Sequence, residues 1–202
     1  MLLPPMSFRF LDVPPLLDGE LELVAPEQRW IDSLLRTCAH PASVDDPSTK
    51  SISRSRLLDF LQTAPFGRQT EDPARGSSPS YHFWMRLNPM SSPTPPVEMA
   101  GGITLRVGQT YDLETYVGHF GYGVYPPARG RHLAERACRL LLPLAKAHGL
   151  KRIWITCNPD NWPSRRTCER LGCSLAGVVP VPEGHALYQR GDRYKCRYWL
   201  DV

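Results

Sequence analysis

The sequence predicts a mixed α/β fold in which helices cover a central sheet. Residues 20–25 alternate polar and apolar side chains, and a later aromatic-rich run, 81–87, is equally typical of a strand. Segments 27–38 and 130–148 instead place apolar residues at helical spacing. Because the two patterns are interspersed along the chain, we expect strands and helices to pack as layers around one core.

Composition excludes several classes of protein. The chain has 202 residues, of which 42% are hydrophobic and 22% charged, so wholesale disorder is not expected. No apolar run reaches the roughly 18 residues of a membrane helix, and prolines interrupt the start of the chain, unlike a secretory leader. Six scattered cysteines form no C-x-x-C pair. We therefore expect a cytoplasmic protein with reduced thiols, no metal site and no membrane contact.

The individual elements follow from local patterns. An extended, Pro-rich arm (1–17) precedes a single domain over 18–202. Helices are expected where apolar residues recur every three or four positions, and two of them end at Gly149 and Gly172. Short apolar or aromatic runs predict the strands. The predicted order is strand 20–25, helices 27–38 and 52–63, strands 81–87, 98–107 and 116–125, helix 130–148, strand 152–156, helix 161–171, and strands 174–181 and 194–200, with loops at 39–50, 64–80 and 88–96.

Positive charge is concentrated in one segment. Residues 126–152 carry seven Lys or Arg side chains against one acid, Glu135, a local charge of +6 on a chain whose remaining residues sum to −2. Such a segment around a glycine-containing turn suggests an anionic ligand, although a solvated helix face has the same composition. A nucleic-acid partner is not expected, because the charge is local and no nucleic-acid-binding motif accompanies the aromatic residues 81–84.

The turn at 124–134 carries the clearest chemical signal. It leads from a strand into a helix, and the first amides of a helix lack partners within it. The helix dipole adds partial positive charge there, so these amides can bind phosphate. Arg129 and Arg131 bring further charge, while Gly130 and Ala134 are small enough for a phosphate to approach the backbone.

Two longer motifs are present in order. The segment from Arg129 to Ala134 fits the pattern Q/R-x-x-G-x-G/A at both ends, with His132 in place of the glycine. Residues 158–172 fit N-x-x-N-x-x-S-x-x-x-Y-E-x-x-G, with Cys168 in place of the tyrosine. Either pattern alone is a weak signal, but the two in this order and spacing point to one family.

Over about residues 98–200, and more faintly over 20–97, the chain resembles the GNAT superfamily of acyl-CoA-dependent N-acetyltransferases. The strand pair 102–106 and 117–122 is similar to a bacterial and fungal subgroup of unassigned substrate. The resemblance implies a central mixed, mostly antiparallel sheet flanked by helices. It also implies acetyl transfer from acetyl-CoA to a primary amine, by direct attack in a ternary complex and without a metal.

The resemblance further implies where acetyl-CoA binds. Its diphosphate would lie on the amides of residues 130–134, and its pantetheine arm beside the strand that ends at Val124. The Val124 amide would polarise the thioester carbonyl, and residues of the second motif would line the far side of the arm. The residues expected to hold acetyl-CoA are Val124, Tyr125, Arg129, Gly130, Arg131, His132, Leu133, Ala134, Asn161 and Ser164.

Direct transfer to an amine needs a base for the ammonium proton and an acid for the leaving thiolate. His119, on the strand beside the expected thioester, titrates near neutrality and is the first candidate base. Glu98 and Glu114 are rivals that would act through water. For the acid, Cys168 occupies the position where the family often has tyrosine. Other candidate acids are Tyr122, Tyr125, Tyr194 and Tyr198, and the thiolate can also leave unassisted.

Two questions stay open in the sequence. Cys168 and His132 depart from the family pattern, which also fits a non-catalytic acyl-CoA-binding module with a degenerate site. The acceptor is not encoded in a motif either, so small metabolites, amino acids, antibiotic amines and protein lysines or N-termini all remain candidates. Pairing of closing strands between subunits is common in the family, so the resemblance allows a homodimer.

Overall fold

The computed structural model describes residues 8–63, 78–88 and 97–202, and contains two antiparallel sheets. The first has five strands in chain order: β1 (Leu16–Asp18), β2 (Leu21–Val24), β3 (Ser80–Leu87), β4 (Met99–Arg106) and β5 (Phe120–Val124). The second has three strands, with β8 (Tyr194–Asp201) between β6 (Arg152–Cys157) and β7 (Ser174–Pro180). This is the helix-flanked, largely antiparallel α/β arrangement that the sequence predicts, divided between two sheets.

The described residues form six α-helices: α1 (Ile31–Cys38), α2 (Pro47–Lys50), α3 (Arg54–Thr63), α4 (Leu133–Ala147), α5 (Trp162–Leu171) and α6 (Ala186–Gln189). α1 and α3 pack on one face of the first sheet, and α4 packs on the other. Side chains alternate along a strand, so β3 directs Trp84 towards α1 and α3 and Phe83 towards α4. The main core lies on the α4 side, where Leu133 and Leu141 pack against the sheet. No helix within the described ranges is long and apolar enough to cross a membrane.

The two sheets meet at His119 and diverge beyond it. The His119 N–H donates to the Trp154 carbonyl on β6 (2.6 Å), and the Trp154 N–H donates back to Nδ1 of His119 (2.9 Å). Gly118 has φ of +78°, and a Cβ there would lie 2.9 Å from the Thr156 nitrogen, so this close approach requires glycine. Because β5 forms no ladder with β6, one edge of β5 faces the gap between the sheets.

The predicted start of one strand is wrong. The strand expected at 116–125 begins only at Phe120, because residues 113–117 form a π-helical turn that the Gly118 N–H closes by donating to the Leu113 carbonyl (2.7 Å). The described residues of the arm predicted at 1–17 contact the domain, since Phe8 and Phe10 pack on the main core. Most of the predicted loops at 64–80 and 88–96 lie outside the described residues.

Candidate active site

A cleft of about 1280 Å³ follows the open edge of β5. One part, the cofactor half, is lined by residues 128–130 and 132–135 around the start of α4, and by residues 161–164, 166, 167 and 170 at the start of α5 and along it. The other part, the acceptor half, is lined by Phe60, His82, Trp84 and Thr104 on the sheet face beneath α1 and α3. Clefts of roughly 300–1000 Å³ bury a single small ligand, so this one has room for two substrates that meet at β5.

The floor of the cofactor half is the N-terminus of α4. Within the described chain, the amides of residues 130–134 meet no hydrogen-bond acceptor, and the helical bonds begin with the Arg136 N–H donating to the His132 carbonyl (3.1 Å). Gly130 makes the bend with φ of +85°. An anion on these amides would satisfy donors that the helix itself leaves open. The residues present therefore fit a diphosphate.

Val124 presents a further unpaired amide to the cleft. The Tyr125 N–H donates to the Ala100 carbonyl on β4 (2.8 Å), and Val124 is the directly adjacent residue of the ladder, opposite Gly101. Hydrogen-bonded and non-hydrogen-bonded pairs alternate in an antiparallel ladder, so the Val124 N–H and C=O point away from β4, into the gap between the sheets. A carbonyl oxygen lying along this edge can accept a hydrogen bond from the Val124 amide.

The basic residues of the cofactor half differ in part from those expected. Arg129 lines the cleft, but its guanidinium is already bonded to the Val124 carbonyl (3.0 Å) and to Asp46 (2.7 Å). The hydrogen bond from Arg129, followed by those from Ser48, lowers the pKa of Asp46 to about 2. The Arg131 side chain does not line the cleft: it pairs with Glu20 at 3.3 Å, so the expected place of this guanidinium beside the phosphate is wrong, and only the Arg131 backbone amide remains there.

Two arginines of α5 supply the charge instead. Arg166 and Arg170 line the cofactor half, and the Arg170 guanidinium donates to Nδ1 of His132 at 2.9 Å. His132 adopts the left-handed conformation, with φ of 56° and ψ of 23°. This conformation favours glycine, which explains why the family motif has glycine here. The His132 ring is therefore held towards α5 by Arg170.

The second motif lies on the opposite wall. The Asn161 side chain caps α5 by accepting from the Ser164 N–H (3.1 Å), so its first role is local. The Ser164 hydroxyl bonds to the Tyr122 hydroxyl (3.0 Å), which also lies 3.9 Å from the Cys168 thiol. Burial raises the pKa of Tyr122, so its hydroxyl keeps its proton at neutral pH.

Cys168 itself does not reach the cleft. Its side chain is 0% exposed, and contact with the Cys173 thiol together with burial raises its pKa. Because the thiol is fully buried and does not line the cleft, it cannot give a proton directly to a group bound there. Among the other candidate acids, Tyr194 lies outside the cleft and Tyr198 bonds to Arg165, whereas Tyr122 and Tyr125 line it.

His119 is not positioned as a base. It precedes β5 rather than lying within it, and its ring is 0% exposed. Nδ1 accepts from the Trp154 N–H, and Nε2 lies 3.0 Å from the Gly108 carbonyl, so both nitrogens bind backbone groups. Burial also lowers the pKa of His119. The residue joins the two sheets, and its predicted place beside the thioester is wrong.

The two candidate glutamates also lie outside the cleft. The Glu98 carboxylate accepts from the Ser33 hydroxyl (2.6 Å) and from Arg86 Nε (3.1 Å). Burial alone would raise the pKa of Glu98, but these two bonds outweigh it and hold that pKa below its usual value. Glu114 lies in the π-helical turn, where its carbonyl accepts from Arg197. Neither carboxylate lines the acceptor half.

The acceptor half contains groups that no motif indicated. His82 on β3 lies opposite Thr104 on β4, and Nδ1 of His82 is 3.0 Å from the Thr104 hydroxyl. Phe60 of α3 meets the His82 ring edge-on, with ring centroids 5.6 Å apart. In the sequence, His82 is recognisable only as a residue of an aromatic-rich strand. That pattern predicts which face of the sheet carries the side chain, but it does not predict the cleft.

Comparisons with known proteins address the family and the fold of the chain. A family model described as acetyltransferase (GNAT) domain matches residues 21–174. None of the curated proteins matches the chain in sequence. A solved structure of the microcin C7 self immunity acetyltransferase MccE, in complex with acetyl-CoA and AMP, superposes with a TM-score of 0.61 at 15% identity, covering 92% of this chain and 94% of that one.

Two further solved structures have the same fold. One is a putative ribosomal-protein-serine acetyltransferase from Vibrio cholerae, with a TM-score of 0.63, 15% identity, and coverage of 93% of this chain and 97% of that one. The other, from Salmonella typhimurium, is described as modifying the N-terminal serine of the 50S ribosomal subunit protein L7/L12; its TM-score is 0.58 at 16% identity, with 94% and 99% covered. At these identities the likeness concerns the fold.

Proposed function

The chain belongs to the acetyltransferase (GNAT) family and is an acyltransferase, and from this premise we propose that it transfers the acetyl group of acetyl-CoA to a primary amine. The amine attacks the thioester directly while both substrates occupy the cleft. The diphosphate of acetyl-CoA binds the amides of residues 130–134, and the acetyl carbonyl accepts from the Val124 amide. Arg166 and Arg170 add positive charge beside the diphosphate.

One observation carries this proposal. The unpaired amides at the start of α4 and the outward-facing amide of Val124 line one continuous cleft. The first set suits a phosphate, and the second suits a carbonyl on which negative charge develops during attack. A thioester of CoA carries both groups on a single flexible arm, so one molecule can use both sets of donors.

Tyr122 is the proposed acid. Its side chain lies two residues before Val124 on the same strand face, and its hydroxyl bonds to Ser164 on the cofactor side. It can therefore give a proton to the CoA sulfur as the C–S bond breaks. Cys168, which stands where the family often has tyrosine, lies beside this hydroxyl rather than replacing it.

The test is a direct assay of transfer. The protein is mixed with acetyl-CoA and a panel of amines that includes free amino acids, an aminoglycoside, a lysine peptide and a peptide beginning with serine, the acceptor named for the Salmonella relative. We expect free CoA by chromatography and a matching acetylated product by mass spectrometry. CoA binding without any acetylated product across the panel would favour the hypothesis of a non-catalytic acyl-CoA-binding module. Absence of both CoA binding and product would overturn the proposal.

A matched pair of variants ties the activity to the cleft. Ala134→Asp puts a carboxylate at the proposed diphosphate position, and we expect it to abolish both CoA binding and transfer. Ala147→Asp makes the same change at the exposed far end of α4, and we expect it to retain both. Equal loss in the two variants would place the diphosphate elsewhere or indicate damage to the helix.

The remaining expectations belong to the same proposal. We propose that residues 18–202 act as one domain in the cytoplasm and that the chain forms a homodimer through its second sheet. β7 is one of the two edge strands of that sheet, and it exposes Leu175 and Val178. Light scattering after gel filtration tests the dimer, and a monomer at micromolar concentration would contradict it.

A further inference from the structure

We propose that His82 is the base that accepts the proton from the acceptor amine, with the Thr104 hydroxyl positioning its ring. This inference rests on the proposed amine transfer and names a residue that lies outside both sequence motifs. It follows from the place of His82 in the cleft, from the chemistry of its partners and from the charges around it.

His82 lies on the face from which an acceptor can reach β5. In the ladder, His82 is opposite Thr104, and Thr104 is opposite Gly121. The next row of the same face consists of Trp84, Gly102 and Gly123. The Arg106 guanidinium lies over Gly121, where an added Cβ would come within 3.0 Å of it, but nothing lies within 4 Å of the Cβ position of Gly123. The face is therefore open along Gly102 and Gly123, towards the edge that carries the Val124 amide.

Both partners of the His82 ring are hydroxyl groups. Nδ1 lies 3.0 Å from the Thr104 hydroxyl, and Nε2 lies 3.3 Å from the Ser80 hydroxyl. A hydroxyl can donate or accept, so the ring keeps both partners as either neutral tautomer or as the imidazolium. A histidine with these partners can gain and lose a proton without breaking its contacts.

His119 shows the opposite arrangement. Nδ1 accepts from the Trp154 N–H, which can only donate, and Nε2 faces the Gly108 carbonyl, which can only accept. One neutral tautomer satisfies both bonds, and a proton on Nδ1 would break the first. The two histidines therefore differ in their hydrogen-bond partners, and of these two only His82 lines the cleft.

The charges around His82 keep it available as a base. Burial, with a smaller contribution from the Arg106 guanidinium, lowers the pKa of His82, so the ring is neutral at pH 7. The elements packed against the ring present Thr104 and Arg106 from β4 and Phe60 from α3.

The proposed step balances in protons and bonds. The acceptor ammonium gives one proton to the Thr104 hydroxyl as that hydroxyl passes its own proton to Nδ1 of His82, which leaves a free amine. The amine nitrogen attacks the acetyl carbonyl carbon, the C–N bond forms and the C–S bond breaks. The second proton of the nitrogen replaces the one that Tyr122 gives to the CoA sulfur. His82 then releases its proton to water, so the products are the amide, CoA and one proton.

The experiment compares wild type with His82→Gln on the best acceptor of the amine panel. Glutamine can still bond to both hydroxyls but cannot take a proton. We expect kcat to fall about 100-fold at pH 7, with CoA affinity by calorimetry unchanged. The deficit should shrink at least tenfold as the pH rises past the pKa of the acceptor ammonium, because the amine is then free without a base.

Other outcomes overturn the inference. Unchanged kcat removes His82 as the base, and a deficit that is equal at every pH assigns it a structural role instead. If His82→Gln fails to fold, Thr104→Val and Thr104→Ser serve in its place: the first should lower kcat about tenfold and the second should restore it, and equal rates would refute the proposal. A wild type that acetylates no amine removes the proposed function itself, which is a distinguishable failure.

Discussion

The cofactor half and the acceptor half of the cleft are built in different ways. The cofactor half uses backbone donors, from residues 130–134 and Val124, that belong to two consecutive elements of the chain. The acceptor half uses side chains from elements that are more distant in sequence, such as Phe60 on α3 and Thr104 on β4. A site made of backbone donors depends on consecutive residues, so it can be recognised as a motif in the sequence. A site assembled from side chains of separate elements has no such motif.

The largest effect that would test this comparison comes from Tyr122, where the two halves meet. Tyr122→Phe removes one hydroxyl and keeps the ring. We expect kcat to fall about 100-fold, because the leaving thiolate loses its proton donor. The affinity for CoA should stay within about threefold, since backbone amides supply most of its binding.

Steady-state kinetics and calorimetry on the same preparation separate these quantities. The control is Tyr125→Phe, which removes a hydroxyl from the neighbouring tyrosine of the cleft; burial raises the pKa of Tyr125 to about 12. This control should change kcat less than threefold. If both variants lose activity equally, neither hydroxyl is specifically the acid, and if Tyr122→Phe is fully active, the thiolate leaves unassisted.

The same contrast explains which sequence predictions held. The fold class, the order of the main strands and helices, and the unpaired turn before α4 are confirmed, because each depends on local periodicity or on consecutive residues. The sequence does not predict the place of His119, because its side chain joins two sheets and that contact depends on tertiary packing. It does not predict the place of the Arg131 side chain either, because the partner of that side chain, Glu20, is more than a hundred positions away in the sequence.

A tenfold effect on CoA binding is expected from the charge of the cofactor half. Arg170 lines the cleft, whereas Arg131 pairs with Glu20 outside it. Arg170→Glu and Arg131→Glu change the net charge equally, so they differ only in location. We expect the first to weaken CoA binding about tenfold, since it brings a negative charge near the diphosphate, and the second to change it less than threefold.

Calorimetry at two salt concentrations checks the origin of this difference. Salt screens exposed charges, so the gap between the two variants should narrow when the ionic strength rises from about 0.05 M to 0.5 M. Equal weakening in both variants would mean that CoA senses the overall charge. A stronger effect from Arg131→Glu would indicate that the diphosphate binds beside the Arg131 side chain, as the sequence alone suggested.

The smallest expected effect comes from His132. Among the described residues, it is the one non-glycine residue whose φ angle is positive, in the left-handed region. His132→Gly removes a conformational cost of roughly 1 kcal/mol. It also removes the hydrogen bond from Arg170, which is exposed and contributes less than the backbone cost. We therefore expect the melting temperature to rise by about 2 °C, with CoA affinity within about threefold of wild type.

A double variant, Arg170→Ala with His132→Gly, shows whether the backbone strain at His132 or its hydrogen bond with Arg170 contributes more to stability. In an Arg170→Ala background the side-chain bond is already absent, so His132→Gly should stabilise the protein more than it does in the wild-type chain. A lower melting temperature for the single variant, together with a higher one for the double variant relative to Arg170→Ala, would show that the bond between α4 and α5 outweighs the backbone strain. The histidine would then be a structural link between the two walls of the cofactor half, and the departure from the family glycine would strengthen that half.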